Sequence, residues 1–258
     1  MKKLLTLLSL LALLPTLAFG WSTCNSIEKG KRLYWENCQE NKLTIKDTDL
    51  NNAYIGHTKI TNSAFEHLNM SEANLNHATF LMSTFKKVNF NKMNDNHTDF
   101  IKDKFYDSSF QHANFNDSGW RFNVFANADF TDANLNHADF FATAINKATF
   151  NEANLNHSTF GADVISNASF ISTSLNNDDF SHSTLKNIKF DNSTLNGDDF
   201  RFAKMTNIAM VNTSLCNVNF KEAEFVDVTF AEDVTMCKVT LPDGDVENKS
   251  CLAENQCP

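Results

Sequence analysis

The chain has 258 residues, with 31 acidic and 22 basic side chains and a formal charge of −9. It lacks the basic footprint by which proteins engage a phosphate backbone, so direct nucleic-acid binding is not expected. Apart from the amino terminus it holds no apolar run approaching the about 20 residues that a membrane-spanning helix needs.

Met1–Gly20 reads as a secretory signal. Lys2 and Lys3 form a basic start, Leu4–Leu14 is an apolar run of eleven, and Ala18-Phe19-Gly20 supplies small residues for cleavage. The alternative, an uncleaved anchor, lacks a stop-transfer pattern. Trp21-Ser22-Thr23 before Cys24 does not resemble a lipoprotein acylation site. The mature chain is therefore expected to start at Trp21 and to be exported, to the periplasm or beyond. Lys2 and Lys3 leave with the signal and no acid does, which lowers the formal charge from −9 to −11. All six cysteines lie downstream of it, as suits an oxidising compartment.

Residues 21–42 carry Ile27, Leu33, Tyr34 and Trp35 among charges, and are expected as a short helical cap. Cys24 and Cys38 would lie about 21 Å apart on one continuous helix, so they pair only if the segment folds back.

From residue 43 to 235 an apolar residue recurs every five positions. The decade ends carry Phe80, Phe90, Phe100, Phe110, Trp120 and Phe130, and the midpoints Leu75, Phe85, Phe105, Phe115, Phe125 and Leu135. Neither a 3.6-residue nor a 2-residue period generates this pattern. Two positions before each large residue, the centre, stands a small one, such as Ala73, Ala78, Ser83, Ala113 or Ala128. One position before it Asp or Asn is common, as at Asn74, Asn114 and Asp129. Asp95 breaks the pattern by occupying a centre. Either a local bulge or filling of the gap by Met93 accommodates it, and the bulge is the favoured expectation.

The unit Ala-(Asp/Asn)-(Leu/Phe)-x-x resembles that of the pentapeptide-repeat family over about seven-tenths of the chain. The resemblance implies an all-β fold, a right-handed quadrilateral β-helix in which four units make one turn. Near-copies at Ala73–Phe80, Ala133–Phe140 and Ala153–Phe160, separated by multiples of twenty, agree with that turn length. Coils about 4.8 Å apart give nine to ten turns in a rod of roughly 45 Å, with centres and small residues inside. At residues 236–258, Cys237, a Pro242-Asp243-Gly244 turn and Cys251 resemble the closing segment of some secreted members, which implies a disulfide-stapled hairpin cap. The full pairing of six cysteines remains open, with fifteen connectivities.

Two constellations are candidates for chemistry. His57, His77, His97, His137 and His157 share one column at twenty-residue spacing, with Asp117 in the gap. Imidazoles so placed would be a metal-binding or pH-responsive ladder, or copies of an exposed residue carried along by unit duplication. Asp178 and Asp198 hold the inward small-residue slot one coil apart, either as paired carboxylates or as Asx-type corner ligands. No cofactor is implied. Phosphate loops, Gly-x-Ser-x-Gly elbows and His-Glu-x-x-His motifs are absent from the sequence.

The leading reading is a non-enzymatic exported scaffold that takes a protein partner on a flat face. The resemblance supplies an alternative, since some cytoplasmic members are acidic nucleic-acid mimics acting on a DNA topoisomerase. The expected signal places this chain in the wrong compartment for that. An enzymatic polysaccharide-degrading β-helix is the third class, but such coils lack the five-residue grammar.

Overall fold

A computed structural model describes residues 22–27, 32–249 and 251. The expected signal at 1–20 lies outside the described residues. Among them every helical or strand element is a strand.

The five-residue unit explains why. The centre and the residue two before it are buried, and the other three are mostly half-buried or exposed. Two positions after the centre the backbone takes positive φ, as at His57 (47°), Asp117 (56°) and Asn207 (52°). A left-handed residue in each unit turns the chain through a corner. Asn, Asp and His tolerate this region better than other non-glycine residues, and all eight histidines occupy such corners.

Residues twenty apart pair in parallel: Phe65 with Phe85, Phe105 with Phe125, Leu175 with Leu195. Four corners therefore close one turn, and the fold is a right-handed quadrilateral β-helix of about eleven turns. We number its faces by the centres they bury. The first runs from Ile45 to Phe225 and carries a ten-stranded parallel sheet. The second runs from Leu50 to Phe230, the third from Trp35 to Met236, and the fourth from Ile60 to Phe220.

The core is a set of stacked rings. Along the first face Phe65, Phe85, Phe105 and Phe125 stack at 4.7–4.8 Å. Along the fourth, Phe140, Phe160, Phe180 and Phe200 stack at 4.8 Å. Rings on adjoining faces meet edge-on, as Phe80 and Phe85 do at 5.3 Å and 72°. Offset and T-shaped pairs of this kind are each worth about 0.5–1.5 kcal/mol beyond the area they bury. The one tryptophan in this core row, Trp120, satisfies its indole N–H by donating to Ser118 Oγ at 2.7 Å.

Three expectations need correction. Among the described residues of the segment 21–42 there is no helix. Tyr34–Glu36 pairs in parallel with Tyr54–Gly56, and Cys38–Asn41 pairs with Lys59–Thr61. These strands add a turn to the solenoid, which raises the count above nine to ten. Trp35 at a centre and Cys38 in a small-residue slot point inward although the unit grammar is not legible there. Secondly, Asp95 lies in register opposite Phe115 with no bulge, and is fully buried. A neutral carboxyl fits a leucine-sized slot without moving the backbone. The third correction concerns Asp178 and Asp198, described below.

Both ends are closed by disulfides. Ser22–Thr23 folds back beside Cys38–Gln39, and Cys24 bonds Cys38 with Cα atoms 5.1 Å apart. After Phe230 one extra residue enters the frame, so that Ser214 pairs with Thr235. Thr235–Thr240 then forms an antiparallel hairpin with Val246–Lys249, stapled by Cys237–Cys251 at a Cα distance of 5.2 Å. Cys216 is also disulfide-bonded.

Candidate interaction faces

The histidine column is present on the corner between the third and fourth faces. His57 and His77 stack at 4.7 Å, His77 and His97 at 5.2 Å, and His137 and His157 at 4.9 Å, all exposed. Near-parallel rings at these spacings keep their nitrogens apart. A zinc ion needs ligand nitrogens about 2.0–2.1 Å from one point, and among the described residues no three His, Cys, Asp or Glu side chains converge in this way. The stacking follows from the corner geometry, which gives every copy the same backbone conformation.

The third face, beside this column, is a carboxamide ladder. Asn134 Nδ2 donates to Asn114 Oδ1 at 2.8 Å and Asn154 Nδ2 to Asn134 Oδ1 at 3.2 Å. In the neighbouring row Asn136 Nδ2 donates to Asn116 Oδ1 at 3.0 Å and Asn176 Nδ2 to Asn156 Oδ1 at 2.6 Å. These bonds run along the rod and tie successive coils together.

Asp178 and Asp198 are buried, as their slot requires, but they do not make Asx turns. That role falls to their neighbours: Asp179 Oδ1 accepts the Ser181 amide at 2.8 Å, and Asp199 Oδ1 the Arg201 amide at 2.9 Å. Asp178 Oδ1 accepts the Ser158 amide at 2.5 Å, and Asp198 Oδ1 the Asp178 amide at 2.8 Å, each from the preceding coil. The bond is between turns because the inward slot points along the stack.

The same device runs along a second interior column. Amides of Leu43, Ser63, Ser83, Asp103, Asn123 and Thr143 each donate to the side chain twenty residues on, ending at Asp163 Oδ1. Asp103 and Asp163 hold small-residue slots in the frame, so the sequence marked them, though nothing in a single unit indicates an acceptor reaching the coil before.

The corner between the fourth and first faces also escaped the sequence reading. The other three corner columns are polar, with residues such as Asp47, Lys87, Glu72, Lys92, His97 and Asn177. This one carries Met82, Phe122, Ala142, Ala162 and Phe202, with Lys102 and His182 among them and Asn62 and Glu222 beyond. Met82 is 52% exposed, Phe122 47% and Phe202 43%. Phe141 from the adjoining row, 43% exposed, meets Phe122 edge-on at 6.0 Å. Leu81 and Ile101, half-buried, extend the strip, and Arg121 beside it is held by Asp139 at 2.6 Å. The signal was available in the five-residue frame, two positions after each centre.

Among the described residues no helix is long and apolar enough to cross a membrane. Hollows of about 1020 and 620 Å³ lie at the two ends of the rod, the first lined by Ile27, Leu33 and Trp35, the second by Phe225, Phe230 and Leu241.

The family model for pentapeptide repeats matches residues 104–143 and 124–161 and reports eight copies. Comparison with curated proteins found no match. Among solved structures the chain is similar to HetL from the cyanobacterium Nostoc sp. strain PCC 7120, a pentapeptide repeat protein involved in heterocyst differentiation regulation. The TM-score is 0.58 at 15% identity, over 81% of this chain and 91% of that one. It is also similar to a trypsin-treated variant of QnrB1, a plasmid-mediated fluoroquinolone resistance protein, with a TM-score of 0.52 at 16% identity over 67% and 91% of the two chains. Likeness at these identities concerns the fold. With the five-residue frame, the four-cornered turn and the family match together, the chain belongs to the pentapeptide-repeat family.

Proposed function

We propose that the protein is an exported, non-catalytic scaffold that binds a protein partner along the edge carrying Met82, Phe122, Phe141 and Phe202. One observation carries this reading: large apolar side chains are concentrated on one corner of four, in a backbone conformation unfavourable to them. Phe122 and Phe202 adopt φ of 61° and 60°. A bulky residue there is an outlier, and outliers of this kind point to function when the surrounding fold enforces them. Exposed aromatic groups beside an arginine have the composition of interface centres. Export is supported by the reading of Met1–Gly20 and by the disulfides Cys24–Cys38 and Cys237–Cys251.

The test is site-specific crosslinking in living cells. A photoreactive residue at position 141 should give one discrete protein adduct in the exported fraction, and Phe122→Asn should abolish it. A photoreactive residue at position 136, on the carboxamide face, should give none. No adduct at 141, or one indifferent to Phe122→Asn, would remove the proposed edge. Recovery of Met1 on soluble cytoplasmic protein by amino-terminal sequencing would remove the export reading and reopen the topoisomerase-directed mimic.

A further inference from the structure

Among the described residues five carboxyl groups are buried in the interior: Asp95, Asp103, Asp163, Asp178 and Asp198, each at most 1% exposed. No Lys, Arg or His is buried with them among the described residues. Asp163, Asp178 and Asp198 share a geometry. Oδ1 accepts an amide of the preceding coil, while Oδ2 is buried with no hydrogen-bond partner. Asp95 has neither oxygen partnered, since the nearby Thr98 hydroxyl donates to the Leu75 carbonyl at 2.6 Å.

An ionised carboxylate in such a slot lacks a counter-charge and most of its hydrogen bonds, which makes the charged form costly. A proton on Oδ2 removes the charge and leaves the Oδ1 acceptor intact. We propose that these interior acids form a proton-operated clasp, in which the coils from about Asp163 to Asp198 stay closed while the carboxyls are protonated and loosen as they ionise.

The surroundings agree. Asp178 and Asp198 sit one coil apart in one column, between Ser158 and Val218. Asp163 lies between Thr143 and Ser183 in its own column, and the charge acting on it is the surface carboxylate Asp139. No cation faces any of the three from these columns. Burial pushes Asp163 up to about 9, and pushes Asp178 up to about 9 with Asp198 adding repulsion. Asp198 is pushed up to about 7. Asp103 rises to about 8 and Asp95 to about 7, both by burial.

The sign follows from linkage. The unfolded chain gives up these protons near pH 4, and the folded chain keeps them to pH 7–9. The folded state therefore binds more protons between these limits. The contribution is fully present below about pH 4 and is lost as pH rises through 7 to 9.

The test compares the full-length protein with the triple variant Asp163→Asn, Asp178→Asn, Asp198→Asn, which is permanently neutral and nearly isosteric. Between pH 5 and pH 9.5 the melting temperature of the wild type should fall steadily, and that of the variant should fall much less. Amide exchange at pH 9, corrected for intrinsic rate, should show faster opening in the coils around residues 158–200 than in those around 120–135, where no amide donates to an interior carboxyl. Parallel pH profiles for the two proteins would overturn the clasp. If the triple variant fails to fold, wild-type protein unfolded in urea at pH 7 should release about four protons per chain. No net release would overturn the proposal equally.

Discussion

Two sets of residues in this solenoid reverse the usual rule of apolar inside and polar outside, and they do so for different reasons. Four of the interior acids, Asp103, Asp163, Asp178 and Asp198, take slots that alanine or serine fills elsewhere, and each accepts an amide from the coil before. The exterior aromatics, Phe122 and Phe202, take corners that asparagine, lysine or histidine fills elsewhere. Inside, the exception satisfies the backbone: the Asp103 side chain serves the amides of both Ser83 and Ile101. Outside, it satisfies no backbone group: Phe122 meets Phe141 edge-on and Phe202 stacks on His182 at 4.9 Å, and both rings stay more than two-fifths exposed. A buried polar side chain is thus accounted for by the fold, whereas an exposed aromatic at positive φ is accounted for by something that meets it.

The contrast can be ranked by mutation, against an ordinary core position as reference. Phe140→Ala removes a ring stacked on Phe160 at 4.8 Å and lying against Trp120, and should cost about 3–5 kcal/mol in chemical denaturation. A loss under about 1 kcal/mol would mean that the stacked rings do not hold the rod together.

The interior exception comes next. Asp103→Ala leaves the Ser83 and Ile101 amides without their acceptor and should cost about 1–3 kcal/mol. Asp103→Asn, which keeps one of the two acceptor oxygens, should cost less than Asp103→Ala. Equal losses in the two variants would show that packing, and not the acceptor, explains the acid.

A smaller effect of opposite sign is expected outside. Phe122→Asn places at a 61° corner a residue that favours it, so stability should stay level or rise by up to about 1 kcal/mol. A clear destabilisation would make Phe122 part of the packing and weaken its assignment to a partner.

The smallest effect belongs to the histidine corner. Adding Zn²⁺ should leave the melting temperature unchanged, and replacing His137 and His157 together should alter stability by no more than about 0.5 kcal/mol. A Zn²⁺-dependent rise that disappears in the double variant would restore the ladder as a metal site.

How much of this was legible in the sequence depends on the distance over which each feature is decided. The five-residue frame determined which side chains point inward, because the corner at each second position after a centre is a local backbone event. The turn length came from the resemblance to the pentapeptide-repeat family, with which near-copies separated by multiples of twenty residues agree, and with it came the histidine column. The segment 21–42 was not legible, because Trp35 follows Leu33 and Tyr34 where later units carry a small residue and Asp or Asn, and Glu40 stands where they carry a large apolar one; only pairing with Tyr54–Gly56 and Lys59–Thr61 makes its strands a coil. The partner of each interior carboxyl was likewise beyond the sequence. Asp178 reads as a corner ligand from its own unit, and becomes an inter-coil acceptor only when Ser158 is stacked beneath it. The chain by itself settles the direction of each side chain, since that is set by its own φ and ψ. Tertiary stacking decides what the side chain touches, and hence whether a buried acid has a counter-charge and whether scattered aromatics form one edge.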